Sequence, residues 1–312
     1  MKRIVSVSIG SSSRDSRAEV EILGEQLVLE RIGTDGDLNA AVRMISELRT
    51  EVDAFGLGGI DLYLVCKGKR WVIRDAARLA RAAGDTPVVD GSGLKHTLER
   101  RAIEILDGSG ALAGTGGPQG TRVLVVSAAD RFGMAEALVD RSYDCRFGDL
   151  IFALGLPLAV RSLGAINLAA TLLLPVLSRL PFTILYPTGG KQDKHSSKNL
   201  RFIQWADIIA GDFHYIRRNV PHQAAVLSGK TIITNTTTSA DVDYLRECGL
   251  WRLITTTPRL QGRSFGTNVM EAAMVALSGK PADEVTPSDY LELLDRMDYS
   301  PTVEVLNEPG ME

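Results

Sequence analysis

Residues 121–138, TRVLVVSAADRFGMAEAL, decide the fold class of this chain. The run from Val123 to Val126 is apolar without alternation, as in a strand buried on both faces. A turn of small residues follows. Beyond Gly133, the residues Met134, Ala137 and Leu138 share one side of a helical pattern. Strand, tight turn and helix form the unit that offers backbone N–H groups to a phosphate. The G-x-G-x-x-G spacing is absent, because Ser127, Ala129 and Asp130 stand where glycines are expected. Upstream, GSGALAGTGGPQG at 108–120 reads as a flexible connector, so a new domain is expected near Arg122.

Downstream of that unit, strands and helices alternate. Strands are expected over 182–186, 207–211, 231–233 and 253–255, with helices over 197–205, 240–248 and 268–277. This alternation predicts a doubly wound, Rossmann-like parallel sheet over 121–312. The strand ends share a chemistry of hydroxyls, glycines and a few charges, which suits a phosphate–ribose ligand. The expected cofactor-binding residues are Ser127, Ala128, Asp130, Arg131, Phe132 and Gly133 in the first turn. Thr188, Gly189, Gly190, Asp212 and Thr256 join them from later strand ends. The cofactor is then NAD or NADP. Asp149 would hold a ribose hydroxyl, whereas Arg146 would favour a 2′-phosphate, and their order leaves the two open.

Residues 1–107 predict a separate α/β domain, and 108–120 the linker. Strands are expected at 4–9, 19–23 and 27–32, the three in antiparallel order. A helix over 38–48 has Asp37 as its N-cap. Two loops could carry chemistry. One is Gly56-Leu57-Gly58-Gly59-Ile60-Asp61. The other runs from Asp90 through Gly91-Ser92-Gly93 to Lys95, at a strand's carboxyl end and a helix start. Lys95 and Asp90 are the expected catalytic residues, with the lysine beside a carboxylate moving a proton or holding a substrate anion.

The chain has 312 residues, 45% of them hydrophobic and 23% charged, which fits two globular domains. A net charge of −3 supplies no field for nucleic acid or anionic membranes. Cys66, Cys145 and Cys248 are too scattered for a disulfide framework, so a cytoplasmic location is expected. The opening MKRIVSVSIG passes straight into a strand pattern without a signal peptide. The apolar stretch 150–185 is broken by Arg161, Asn167, Pro175 and Arg179, which favours a buried helix over 158–180 rather than a membrane span. The four histidines show no metal-ligand spacing, and no metal is expected. The expected partner is a small-molecule substrate, with a homodimer left open.

The stretches VDAFGLGGIDLYL, TPVVDGSGLKHTLER, TRVLVVSAADRFGMAEAL, ADIIAGD, GKTIITNTTT and FGTNVMEAAMVAL together resemble the shikimate/quinate dehydrogenase-like family. Their order is also similar to that of long-chain acyl reductases. The resemblance implies an NAD(P)-dependent oxidoreductase acting on a small hydroxy or keto acid, with Lys95 reaching the reacting oxygen. Two other readings compete. One is a non-catalytic nucleotide- or metabolite-binding protein that keeps the shell of the fold, which the missing glycines support. The other is an actin-like phosphotransferase, suggested by the opening strand and the Gly10-Ser11-Ser12 loop.

Overall fold

The computed structural model describes residues 1–66, 69–112, 117–152, 155–181, 199–260 and 263–308. The chain opens with β1 (Lys2–Ser8), β2 (Ser16–Ile22), β3 (Glu25–Gly33), α1 (Leu38–Leu48) and β4 (Ala54–Gly58). Then come β5 (Tyr63–Cys66), β6 (Lys69–Val72), α2 (Ala76–Ala82), β7 (Val88–Val89) and α3 (Ser92–Gly108). The middle carries β8 (Arg122–Val125), α4 (Phe132–Asp140), β9 (Asp144–Phe147), α5 (Asp149–Phe152), α6 (Leu163–Leu177) and α7 (Leu200–Trp205). It continues with β10 (Ile208–Ala210), α8 (Phe213–Asn219), β11 (Thr231–Thr234), α9 (Ser239–Glu247) and β12 (Arg252–Thr255). The end holds β13 (Arg259–Leu260), β14 (Arg263–Ser264), α10 (Thr267–Ser278), α11 (Pro287–Arg296) and β15 (Thr302–Val305).

Two compact units result. One comprises Met1–Leu98, Thr171–Gln192 and Arg259–Tyr299, and the other comprises Glu99–Ala170, Asp193–Pro258 and Ser300–Glu312. The boundary thus differs from the expected 1–107, 108–120 and 121–312. It falls inside α3, and α10 and α11 return to the first unit. The reason is burial. Val269, Met270, Ala273, Tyr290 and Leu294 of these helices cover the face of the first sheet that carries Ile4, Leu27, Leu29 and Ala54.

In the first unit the sheet order is β2-β3-β1-β4-β7. Only β2 and β3 are antiparallel, whereas β1 runs parallel to both β3 and β4. The expected antiparallel trio is therefore corrected. Leu23 and Gly24 at φ 54° and 83° make a two-residue hairpin turn between β2 and β3. That hairpin swings β3 back beside β1, in the register Ile4↔Leu29. Strand alternation then splits the core. Val5, Val7, Phe55 and Leu57 meet α1 and α2 on the face opposite Ile4. Asp37 caps α1 as expected, accepting from Asn39 N and Ala40 N at 2.8 and 2.9 Å.

In the second unit the order is β15-β12-β11-β10-β8-β9, parallel throughout except for β15 at the edge. Both faces are covered. Val123, Val125 and Ala210 pack with Ile103 of α3 and Met134 and Leu138 of α4. Leu124, Ile209 and Ile232 pack with Phe202, Ile216 and Leu245. An α/β architecture with a doubly wound, mostly parallel sheet is present, but not the expected Rossmann strand order. Here the first strand lies between the second and the third, the flavodoxin-type order. The expected strand at 182–186 lies outside the described residues. The expected buried helix is α6, and it is largely uncovered: Leu168, Leu172 and Val176 are 63%, 67% and 62% exposed. No helix among the described residues is long and apolar enough to cross a membrane.

Candidate functional site

In an open parallel sheet, ligands bind at the carboxyl edge where the strand order reverses, because the loops on either side part there. In the second unit that point lies between β8 and β10. The turn after β8 is Val126-Ser127-Ala128-Ala129-Asp130-Arg131. The loop after β10 is Gly211-Asp212. Gly211 sits at φ 134°, and a Cβ there would meet the Val126 side chain at 2.7 Å, so only glycine lets the two loops come together. The N–H of Asp212 reaches Ser127 Oγ at 3.4 Å, and Asp212 caps α8 by accepting from His214 N at 2.9 Å.

Arg131 is the centre of the edge. Its side chain is 3% exposed. It donates to Glu99 of α3, itself 1% exposed, and to Asp212 Oδ2 at 2.8 Å, with Asp130 at 3.3 Å. Burial works against the guanidinium charge, but Glu99, Asp130 and Asp212 outweigh it and raise its pKa. Burial likewise works against the Asp212 carboxylate, and the Arg131 charge outweighs it, holding Asp212 below the ordinary carboxylate range. Asp212 keeps 18% of its side chain exposed, so it is reachable from solvent. Asn235, just past β11, points its amide at Asp212 Oδ2 at 3.5 Å. Thr257 Oγ1 donates to the Asn235 carbonyl at 2.6 Å, which ties the end of β12 to the same row. Thr256 is buried beside it, its N–H donating to Thr234 O at 2.8 Å.

Of the expected cofactor residues, the structure brings together Ser127, Asp130, Arg131 and Asp212, and sets Thr256 in the neighbouring strand-end row. Ala128 and Gly133 are buried, and Phe132 opens α4. Thr188, Gly189 and Gly190 lie outside the described residues. Glu99 and Asn235 were missed. Nothing in the sequence ties Glu99 to a turn 32 positions later, whereas Asn235 directly follows a legible strand.

The nucleotide chemistry expected of these residues is corrected. Asp149 does not face a ribose site. Its two carboxylate oxygens accept from Ala128 N at 3.1 Å and Ala129 N at 2.8 Å, the N–H groups that a phosphate would need. Removal from water pushes its carboxyl up to about 6, against the pull of those N–H groups. Arg146 is not free for a 2′-phosphate, because its guanidinium lies over the Trp205 ring, 3.8 Å from the centroid. Arg131, the cation nearest the turn, is already shared by carboxylates. NAD and NADP thus lose both the N–H cradle and the cation.

The expected catalytic pair is also placed differently. Asp90 accepts from Leu62 N at 2.6 Å, Tyr63 N at 3.0 Å and Ser92 N at 2.9 Å, which makes it a cap for α3 and for the entry to β5. Lys95 pairs with Asp61 at 3.8 Å rather than with Asp90. Sequence reasoning missed Glu271 on α10. It is 3% exposed and accepts from Gly91 N at 2.6 Å and Tyr290 Oη at 2.9 Å. Burial first, and then the neighbouring Asp90 charge, push its carboxyl up to about 7. The loop proposed for a phosphotransferase is closed in a similar way: Ser12 N donates to Asp35 Oδ1 at 2.8 Å, and Gly10 N to Ser8 Oγ at 3.1 Å.

No curated protein matches the chain in sequence. Among solved structures it is similar to an ABC transporter solute-binding protein from Burkholderia multivorans, at 11% identity and TM-score 0.40, over 97% of this chain and 98% of that one. A sugar ABC transport substrate-binding protein from Bordetella parapertussis 12822 aligns at 10% identity and TM-score 0.34, over 99% and 90%. A solute-binding protein from Agrobacterium vitis, bound with alpha-D-tagatopyranose, aligns at 12% identity and TM-score 0.35, over 90% of each chain. At these scores the likenesses are loose, and function is read from the site itself. The resemblance to shikimate/quinate dehydrogenases expected from the motifs is corrected by the family models that match, which are of other families. A family model described as "Domain of unknown function (DUF8753)" matches residues 3–90. A second, "Domain of unknown function (DUF8754)", matches residues 93–306, more than half of the chain, and the chain belongs to that family.

Proposed function

We propose that the chain is a non-catalytic binding protein for a small, uncharged, polyhydroxylated molecule, held at the β8/β10 edge of the second unit. One observation carries this reading: the buried cation of this edge, Arg131, is neutralised in place by Glu99, Asp130 and Asp212. One guanidinium among three carboxylates repels phosphates and carboxylic acids. It leaves carboxylate acceptors at Asp130 and Asp212 and an amide at Asn235. Hydroxyl groups both donate and accept, so a polyol satisfies such a row without needing a charge of its own. Ser127 Oγ takes a backbone N–H and is not set against a base. Burial pushes the Cys145 thiol up to about 12, far from a reactive thiolate.

The test is thermal melting of the full chain with monosaccharides, inositols and linear sugar alcohols, and in parallel with NAD and NADP. A ligand at a hundred times its Kd adds about 2.7 kcal/mol of stability. At least one neutral polyol is expected to stabilise the chain, and Asn235→Ala is expected to weaken that binding by about tenfold. Stabilisation by NAD or NADP with no response to any polyol overturns the reading.

A further inference from the structure

The turn after β8 has the form of an anion cradle. Two consecutive backbone N–H groups, of Ala128 and Ala129, converge on one point, as they do around bound phosphate. That point is occupied by a carboxylate of the chain itself. Asp149 reaches it from the first position of α5, two residues beyond the end of β9. It spends one oxygen on each N–H, at 3.1 and 2.8 Å. Asp149 is partly buried at this point, and burial pushes its carboxyl up despite the two N–H groups it accepts from.

We infer that Asp149 is a further specificity-determining residue of the β8/β10 edge: it stands in for an anion, and so bars phosphorylated ligands from a turn otherwise shaped to hold them. This inference rests on the binding reading above for the identity of the edge. It adds the rule by which the edge selects. The bar has two parts. The carboxylate uses the two turn N–H groups of Ala128 and Ala129, and its charge, beside Asp130, repels an incoming anion. Take the carboxylate away and the two partly buried N–H groups lose their acceptor, which costs free energy. An oxyanion from solution then becomes the natural replacement. Formate matches the deleted group in size, and inorganic phosphate reports on phosphorylated ligands.

The experiment compares the wild-type chain with Asp149→Ala and Asp149→Asn at pH 8, where the native carboxyl is ionised. Each is titrated with sodium phosphate and sodium formate against sodium chloride at matched ionic strength, and both melting and phosphorus NMR line width are followed. Wild type is expected to show no phosphate response beyond chloride. Asp149→Ala is expected to bind phosphate and formate about ten- to a hundredfold more tightly than wild type, the worth of charge-assisted hydrogen bonds to two freed donors. Asp149→Asn keeps the side-chain volume and one acceptor oxygen, so it preserves the fold if the alanine variant does not. It is expected to gain an intermediate phosphate response. Equal phosphate responses in wild type and both variants overturn the inference, as does phosphate binding by wild type at the strength of the alanine variant. A wild-type chain that binds no polyol, together with an Asp149→Ala chain that gains phosphate, sinks the polyol reading and leaves the role of Asp149 standing.

Discussion

After β1, the N–H of Ser12 donates to Asp35, which lies just past the neighbouring parallel strand β3. After β8, the N–H groups of Ala128 and Ala129 donate to Asp149, which lies just past the neighbouring parallel strand β9. The two units thus close the turn after their first parallel strand with an aspartate from the same topological place. Their electrostatics are opposite. Asp35 is exposed, and the Ser12 hydrogen bonds hold its carboxyl below the ordinary range. Asp149 is withdrawn from water, and its carboxyl rises to about 6 despite two such bonds. Depth, rather than hydrogen-bond number, decides the sign. The rest of each edge follows the same division. In the first unit the loops after β1 and β4 pack on each other through Gly58, Gly59 and Gly10, with Ile9 N bonded to Gly58 O at 2.8 Å, and little room is left. In the second unit the corresponding place holds Arg131, Asp130 and Asp212.

The arginines provide the largest expected contrast. Arg131→Met removes a buried guanidinium from Glu99, at 1% exposure, and from Asp212, and should cost about 3–5 kcal/mol. Arg31 of the first unit, 20% exposed, bonds the exposed Asp15 and the buried Ser8, and because its ion pair is open to solvent Arg31→Met should cost only about 1 kcal/mol. Urea unfolding of the two variants measures both. Equal losses would break the comparison.

Next comes pH. The folded carboxyl of Glu271 lies near 7, above its ordinary 4.5. Between those values the folded chain holds a proton that the unfolded chain has released. Its stabilising effect is full below about pH 4.5 and is lost as pH rises towards 7, by roughly 3 kcal/mol. Asp149 behaves the same way between 3.8 and about 6. Asp35 has the opposite sign: its contribution is present above 3.8 and is lost as pH falls through its lower folded value. Stability curves of Glu271→Gln and Asp149→Asn should be flatter than wild type between pH 4.5 and 7. Asp35→Asn should alter the curve only on the acid side. A Glu271→Gln curve parallel to wild type throughout would show that this carboxyl does not titrate in the window.

How much of this was legible depends on range. The unit at 121–138 was readable because an apolar run, a small-residue turn and a helical stripe sit in one local stretch. The missing glycines at Ser127, Ala129 and Asp130 were also a true signal, since a turn capped from inside needs no room for a phosphate. Asp149 lies about twenty residues downstream, where a ribose-binding acid would fall. Its distance in sequence was right and its direction was not, because direction depends on the β8–β9 pairing. The Glu99–Arg131 pair, the return of α10 and α11 to the first sheet, and the parallel β1–β3 pairing are long-range choices. Periodicity within a window carries no record of them.

A smaller effect tests the hairpin that sets the first sheet's order. Gly24, at φ 83° with open space around it, should lose about 1 kcal/mol on substitution by alanine, through backbone strain alone. A neutral Gly24→Ala in thermal melts would place the control of the β2–β3 register elsewhere.

The most direct test of the central claim is amide hydrogen exchange of the full chain with and without the most strongly stabilising neutral polyol. The account predicts slowed exchange at residues 127–131, 212–214 and 235, with no change at residues 10–12 and 58–61. Protection at the first unit's loops with none at the β8 and β10 loops would contradict it.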